Sequence, residues 1–377
     1  MKKIIQHIVK KEFIQFRKDK KMVVMSFISP ILQLLLLGYA ANVDVKYIPT
    51  VVCDLDNTSI SREYISDVTN SNYFEIVRYV DKMNDIDAII DNGSASVGIT
   101  IPKNFSNDII SGKTTQIQSM IDGSDSNTAT IGMNYLSMIT GQFSQKFLSE
   151  KMDQLKKLQI NTEVISPELR VWYNPELKSR NFMVPGVLGL LLMVMTLILT
   201  SMAIVKEKEN GTLEQLIVTP IKSIELIIGK LIPFIIIGLI DVILVVAVAT
   251  LWFHVPMRGS LITLIILSLT FLLSTLGLGL FVSSISSNQQ QAMMTSMFFL
   301  MLPMIYLSGF IFPIENMPKI IQYVTYILPL RYYFVIIRGI FLKGVGFAEL
   351  WKDTFMIFIL GVSILTVSIA RFQKRVG

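Results

Sequence analysis

Long apolar runs alternate with short polar connectors along most of the chain. A helix that spans a membrane needs about 20 predominantly apolar residues, and six runs approach that length. The pattern therefore predicts a polytopic α-helical membrane protein with six transmembrane helices. Their predicted bounds are 22–41, 182–205, 226–253, 261–287, 290–313 and 353–370.

A further apolar segment, 313–342, differs from these runs because it carries Pro329, Arg331 and Arg338. An arginine at the centre of a bilayer costs about 2.5–3.5 kcal/mol on insertion scales, which disfavours an independent span. The segment is predicted to be a re-entrant hairpin, and an interfacial helix is the alternative.

The charges at the two ends of the chain predict its orientation. Residues 1–21 carry eight Lys or Arg against two acids, and residues 371–377 carry three basic residues and no acid. Positive segments stay on the cytoplasmic side, and six spans return the chain to its starting side, so both termini are predicted to be cytoplasmic.

Residues 1–21 also place apolar side chains near one helical face. This predicts an amphipathic helix on the membrane surface, with an ordinary basic flank as the alternative.

Residues 42–181 form the long polar segment, with 13 Lys or Arg and 18 Asp or Glu. Their length suits one domain, and the orientation makes it an extracytoplasmic mixed α/β domain. Alternating apolar positions predict strands at 47–53, 73–80, 95–101, 115–121 and 169–173. Helical spacing predicts helices at 59–69, 105–111 and 124–160.

The composition excludes several other classes of protein. Hydrophobic residues make up 52% of the chain and charged residues 16%, whereas soluble domains carry about 25% charge. One cysteine excludes an intrachain disulfide, and one cysteine with two histidines disfavours a zinc site. The scarcity of cysteine and histidine means that no bound metal is predicted. The basic residues behind the net charge of +6 lie mostly beside apolar runs at the ends of the chain, so nucleic-acid binding is not predicted either.

One motif in the polar domain is similar to the nucleophile loop of haloacid-dehalogenase phosphatases, namely Asp54-Leu55-Asp56-Asn57-Thr58. That chemistry also needs a later acidic pair to complete a magnesium site. The context of Asp122 and Asp125 does not match it. The favoured interpretation is a capped turn that starts a helix at about Ser59.

A second motif, Ser111-Gly112-Lys113-Thr114, resembles the end of a phosphate-binding loop. The required first glycine is missing, because Asn107 occupies its position. A plain turn is predicted here, and no catalytic residue is predicted anywhere in the chain.

Residues 206–220 follow the second predicted span. Gly211 permits a turn, Thr212 is placed to cap a short helix, and Pro220 discourages its continuation. The apolar side of this helix is formed by Leu213, Leu216 and Ile217. The segment is predicted to be either a docking element or a connector lying on the membrane.

The same segment resembles the cytoplasmic signature of the ABC-2-type permeases, the membrane subunits of one class of ATP-binding-cassette exporters. The matching positions are Glu207, Gly211, Thr212, Glu214, Leu216, Thr219 and Pro220. Segments 11–19, 97–105, 290–318 and 329–339 are similar to other family motifs and occur in the family's order. The resemblance therefore covers essentially the whole chain.

The resemblance implies that two permease chains, identical or homologous, form a pathway through the bacterial cytoplasmic membrane. Two separate ABC ATPase subunits would bind ATP and Mg, so this chain is expected to hold no cofactor and to be a transport subunit, not an enzyme. Segment 206–220 would be the coupling helix, and 313–342 the family's re-entrant helices. The expected coupling residues are Glu207, Gly211, Thr212, Leu213, Glu214, Leu216, Ile217, Thr219 and Pro220.

Asp241 is the one acid deep inside a predicted span, which makes it a provisional transport-pathway residue. A carboxyl satisfied by serine, threonine or backbone groups is the alternative.

By analogy with the family, the cargo is expected to be amphipathic: a drug, a peptide antibiotic or a lipid-like molecule. A periplasmic or cell-wall accessory protein is a further candidate partner. Competing functions are a membrane-anchored receptor or structural protein with an external binding domain, and the phosphatase.

Overall fold

The computed structural model describes residues 2–40, 46–157, 172–174, 178–212 and 221–376. The chain divides into two compact units. The membrane unit comprises residues 1–43 and 171–377, and the inserted unit comprises residues 44–170. The inserted unit lies within the range 42–181 predicted for the polar domain.

The membrane unit begins with helix Lys2–Lys18, here called the surface helix because the sequence predicts that it lies on the membrane surface. Among the described residues, five later helices are long and apolar enough to cross a membrane, and they correspond to five of the six predicted spans. In chain order, the first to fifth spans are Lys20–Ala40, Ser179–Glu209, Ile224–Leu251, Leu261–Ile285 and Phe347–Arg371. The last belongs to a longer helix, Phe347–Val376. A bent helix pair brings the count to as many as six if it forms one span.

The remaining predicted span, 290–313, is helical only up to Leu307. It consists of α-helix Gln289–Thr295, π-helix Ser296–Met301 and α-helix Leu302–Leu307. Three successive glutamines at its start lower its hydropathy, and it is not among the five long apolar helices. The total of six transmembrane helices therefore stays a prediction.

The segment predicted to be re-entrant contains a sharp bend. Helix Lys319–Thr325 meets the helical run Pro329–Lys343 at 80°, and Pro329 starts the second arm, where its missing N–H costs nothing. The guanidinium of Arg331 lies 3.9 Å from the ring centroid of Tyr326, and that of Arg338 lies 3.6 Å from that of Phe182. Aromatic faces thus offset part of the cost of both charges.

Small residues let the spans approach closely. A Cβ added to Gly279 of the fourth span would stand 2.8 Å from the Cβ of Thr200 in the second span. A Cβ on Gly277 would stand 3.2 Å from the backbone nitrogen of Leu365 in the fifth span. Larger side chains at either position would force the helices apart.

The inserted unit is built on a four-stranded sheet in the order β2-β1-β3-β4. The strands are β1 Ile48–Asp54, β2 Phe74–Tyr79, β3 Val97–Ile101 and β4 Gln118–Ile121. β1 pairs in parallel with β2 and β3, and β4 runs antiparallel to β3. All four strands were predicted. Of the predicted fifth strand, 169–171 lie outside the described residues, and 172–173 are not in a strand.

Helices cover both faces of the sheet. The three predicted helices are Ser59–Asn70, Phe105–Ser111 and Ser126–Lys157, and they pack on the face that carries Ile48 and Val52. A fourth helix, Asn84–Asp91, was not predicted. Its Ile86 and Ile89 pack on the opposite face against Val51 and Cys53.

Candidate functional site

The surface helix packs against the third span. Ile8 is buried, and a Cβ added to Gly229 would stand 2.7 Å from its Cγ2 atom. The absence of a side chain at Gly229 therefore lets the two helices touch. One turn further along the surface helix, this contact brings Lys11 and Glu12 beside the third span.

A buried ionic cluster joins the surface helix to the second and third spans. The ammonium of Lys230, a side chain on the third span that is 2% exposed, donates to Glu12 at 3.2 Å and also to Glu207 at the end of the second span. Lys11 donates to Glu207 as well. Burial alone would lower the pKa of Lys11, but the Glu207 carboxylate outweighs burial, so the pKa is raised. The cluster pairs two lysines with two glutamates, which is what burial of charge requires.

The neighbour of Glu207 binds the start of the first span. The ammonium of Lys206 donates to the carboxylate of Asp19 at 2.6 Å, and this contact lowers the pKa of Asp19. Asp19 in turn caps the first span by accepting from the backbone N–H groups of Lys21 and Met22. Lys206 thus fixes the end of the second span to the cap of the first.

The next two residues bind the fourth span and the helix after it. The ammonium of Lys208 donates to the backbone carbonyl of Ser286 at 3.0 Å, just beyond the end of the fourth span. The carboxylate of Glu209 accepts from the backbone N–H of Gln289 at 2.9 Å, at the start of helix 289–307. The four consecutive residues 206–209, here called the anchor, therefore contact five different parts of the membrane unit.

The predicted coupling segment begins at this anchor. The hydroxyl of Thr212 donates to the carbonyl of Glu207 at 3.1 Å, and Gly211 has a φ of +67°, a conformation that glycine adopts without steric cost. A cavity of about 690 Å³ lies beside the anchor, lined in part by Glu12, Asp19 and Thr212. The other predicted coupling residues, Leu213, Glu214, Leu216, Ile217, Thr219 and Pro220, lie outside the described residues.

Asp241 lies in the third span and is 3% exposed. Its Oδ1 atom has no hydrogen-bond partner in the described part of the chain, and a cavity of about 10 Å³ adjoins it. Ser26 and Thr196 line the same cavity, but their hydroxyls donate to the carbonyls of Met22 and Leu192. Neither hydroxyl donates a hydrogen bond to the Asp241 carboxyl. These two residues therefore do not support the alternative in which serine or threonine side chains satisfy this carboxyl.

The aspartates of the phosphatase-like motif have structural partners. Asp54 accepts from the backbone N–H groups of Asp56 and Asn57, each at 3.0 Å, and from the hydroxyl of Ser61 at 2.7 Å. Thr58 caps the helix that begins at Ser59, which confirms the predicted capped turn.

Asp56 is held in the same way, by the hydroxyl of Thr58 and by the hydroxyl and backbone N–H of Ser106. Burial would raise the pKa of Asp56, but these hydrogen bonds outweigh burial and lower it. No group of three or more metal-binding side chains occurs among the described residues.

Sequence reasoning missed the buried lysine of the cluster. Lys230 lies within the predicted helix 226–253, directly before the apolar run that begins at Leu231, and no role was predicted for it. A lysine inside an apolar run is itself a signal that an acidic partner is needed. Its partners Glu207 and Glu12 lie 23 and 218 positions away, so spacing along the chain could not have identified them.

The long apolar helices define a polytopic helical membrane protein. The family model for ABC-2 family transporter proteins matches residues 20–370. The chain therefore belongs to the ABC-2 family and is an ABC transporter permease, as its signature residues predicted.

Two relatives from Escherichia coli K12 cover nearly the same length. The chain is 29% identical to the probable multidrug ABC transporter permease YbhR over 369 residues, which is 98% of each protein. It is 32% identical to the probable multidrug ABC transporter permease YbhS over 339 residues, which is 89% of this chain and 87% of YbhS. A third relative from the same strain, the inner membrane transport permease YhhJ, is 26% identical over 87% of this chain and 86% of its own length.

Proposed function

We propose that the chain is the membrane subunit of an ATP-driven exporter in a bacterial cytoplasmic membrane. Separate ABC ATPase subunits bind ATP and Mg and dock on segment 206–220, and the chain itself holds no cofactor. A second permease chain, identical or homologous, completes the pathway. Family membership supports the general class, and the anchor supports the coupling role.

The observation that carries the proposal is the anchor at 206–209. Its four residues contact the cap of the first span, the surface helix, the third span, and the polar ends around Ser286 and Gln289. Interfaces and packed helices switch between discrete arrangements and do not deform continuously. A displacement of the segment that follows the anchor would therefore move several spans together.

The cargo of this exporter is proposed to be an amphipathic molecule such as a drug, a peptide antibiotic or a lipid-like compound. The support is the word "multidrug" in the names of two relatives. Asp241 is proposed to border the pathway, because its carboxyl is buried beside a cavity and its Oδ1 atom has no partner among the described residues.

Co-purification with the ABC ATPases of the same organism tests the docking. Truncation of an apolar side chain buried at an interface costs more than about 1–2 kcal/mol in binding free energy. Leu216→Ala is therefore expected to weaken assembly about tenfold. Glu214→Lys is expected to weaken assembly more than Lys208→Glu, because Glu214 belongs to the docking helix. Binding of no ATPase by the correctly inserted wild-type chain would refute the proposal.

Gly211 offers a sharper variant with a matched control. Gly211 has a φ of +67°, and no atom of the described residues lies within 4 Å of an added Cβ, so the expected effect of a side chain there is backbone strain. Gly211→Val is expected to distort the turn and reduce assembly, whereas Gly211→Asn is expected to retain most of it, because asparagine tolerates this conformation. Equal assembly of the two variants would contradict this role for the turn.

The orientation is tested by cysteine labelling on sealed cells. Cys53 is buried, so single cysteines are placed at the exposed positions Ser94 or Gly123 in a Cys53→Ser background. An impermeant thiol reagent is expected to label both positions from outside. Labelling only after the cells are opened would place the inserted unit in the cytoplasm and overturn the export topology.

A further inference from the structure

The inserted unit contains a pocket of about 390 Å³ beside its long helix Ser126–Lys157. The buried rings of Phe105 and Phe143 contribute to the lining, together with Ile109, Ile117 and Phe147. A volume of roughly 300–1,000 Å³ with mostly apolar walls is typical of small-molecule sites. The pocket is too small for a helix, which is about 10–12 Å across with its side chains.

A turn gives one edge of this pocket its polar character. Helix Phe105–Ser111 ends at Gly112, which has a φ of +77°, and the backbone N–H of Lys113 closes the turn on the carbonyl of Asp108 at 2.9 Å. The chain then continues to β4 through Thr114 and Thr115, which line the pocket with Lys113. This turn includes the motif Ser111-Gly112-Lys113-Thr114, which resembled the end of a phosphate-binding loop. In the structure, the turn lies at the edge of a mainly apolar pocket.

The charge at this edge is available to a ligand. Lys113 is exposed, and it has no carboxylate partner within the described ranges of the chain. Thr114, Thr115 and Ser144, each of which carries a hydroxyl group, line the same pocket. An ammonium group and hydroxyl donors at the edge of an aromatic pocket complement a molecule with an apolar body and an anionic end.

We propose that this pocket binds amphipathic organic anions, with an aromatic or short acyl body against Phe105 and Phe143 and a carboxylate or sulfonate beside Lys113. This external site is distinct from the anchor. The inference goes beyond the proposed transport function, and it does not depend on whether an ATPase docks on the chain.

Photolabelling of the full chain in lipid nanodiscs tests the site, with 4-benzoylbenzoate as the probe. Its benzophenone forms a covalent bond with a nearby C–H group on irradiation, and mass spectrometry then locates the labelled peptide. The expected result is saturable labelling within residues 105–117 or 140–148 that non-photoreactive naphthalene-2-carboxylate competes away. Labelling confined to the apolar spans, or labelling of these peptides without saturation, would overturn the proposal.

Two pairs of variants separate site loss from misfolding. Ser144→Trp fills the pocket from an exposed position, and Ser137→Trp adds the same side chain at an exposed position of the same helix that does not line it. Saturable labelling is expected to disappear in the first variant and persist in the second. Equal labelling of the two would refute the assignment.

The second pair of variants tests the charge. Lys113→Gln is expected to weaken binding of the probe about two- to fivefold, the range for an exposed ion pair. Lys103→Gln is the control, since Lys103 is exposed and lies outside the pocket. Uncharged benzophenone is expected to label wild type and Lys113→Gln equally. An unchanged affinity of the anionic probe in Lys113→Gln would refute the proposal that Lys113 binds the anionic group of the ligand.

Discussion

Two groups of carboxylates in this protein are stabilised in opposite ways. In the membrane unit, Glu12 and Glu207 are bound by Lys230, which comes from a different helix. In the inserted unit, Asp54 and Asp56 are bound by hydroxyl and backbone N–H groups, most of them within seven positions in the chain. The first group ties three helices together, whereas the second mainly shapes one turn.

The difference shows how an acidic residue can be classified from its partners. Hydrogen bonds to neighbours in the chain cap a helix or a turn, and their loss has a local effect. A buried ion pair between distant helices needs both partners, because removal of one leaves an uncompensated charge. The predictions below change a member of each group, and then two further acidic sites for comparison, Asp241 and the pair between Glu63 and Lys146.

The largest effect is expected for Lys230→Met. Removal of this ammonium leaves two buried glutamates with Lys11 as their remaining basic partner, and the expected loss is about 3–5 kcal/mol in the free energy of unfolding. The measurement is denaturant unfolding of the full chain in bicelles. Lys230→Met combined with Glu207→Gln restores the charge balance and is expected to recover part of the loss. A single variant as stable as wild type would show that the cluster is not buried.

A smaller loss, about 0.5–2 kcal/mol, is expected for Asp56→Asn, since this change weakens the hydrogen bonds that the carboxylate accepts from Thr58 and Ser106. Hydrogen exchange of residues 48–70 in the full chain measures it. Because the pKa of Asp56 is lowered on folding, its contribution is complete above the unfolded pKa of about 3.9. It is lost as pH falls through the lower folded pKa. The variant should lack this component of the acid sensitivity. An equally strong pH dependence would contradict the assignment.

Asp241→Asn is expected to change the free energy of unfolding by less than about 1 kcal/mol. The reason is that its Oδ1 atom has no partner to lose among the described residues, and an amide has nearly the same shape. The comparison is again unfolding in bicelles, with Thr196→Val as a control that removes a hydrogen bond to Thr275. A loss of several kcal/mol would show that Asp241 has a structural partner.

The smallest effect is expected at the exposed pair between Lys146 and Glu63 in the inserted unit. Exposed ion pairs are worth about 0–1 kcal/mol and are screened by salt. Lys146→Met should therefore alter hydrogen exchange of the inserted unit only slightly at low salt, and not at all in 1 M salt. A large and salt-independent effect would show that this pair stabilises the protein as strongly as the buried ion pairs of the membrane unit do, and would contradict the prediction.

Periodicity was sufficient to predict the elements that have strong patterns. The strands β1 to β4 and the long helix Ser126–Lys157 were predicted because their apolar positions recur every two or about every four residues. Helix Asn84–Asp91 was missed because it is short and carries three aspartates, although Ile86, Ile89 and Ile90 have helical spacing.

The site was predictable only in part, for a different reason. Glu207, Gly211 and Thr212 were identified because they stand in one short signature. Lys230, one of the two lysines that bind Glu207, was not identified, since pairing between helices depends on the fold and not on local sequence. The proline and arginines of 313–342 indicated that a straight span is interrupted there, and the structure has an 80° bend between two helices of this segment. Its re-entrant character stays a prediction.

ATP hydrolysis by the assembled complex in lipid tests the central claim most directly. The claim is that the anchor transmits the motion of an ATPase to the spans. Hydrolysis is compared between wild type, Glu207→Gln and Asp56→Asn, each co-purified with the ATPase. We expect the wild-type chain to stimulate hydrolysis above that of the ATPase alone, Asp56→Asn to retain this stimulation, and Glu207→Gln to lose it while still assembling. Undiminished stimulation by an assembled Glu207→Gln complex would contradict the account.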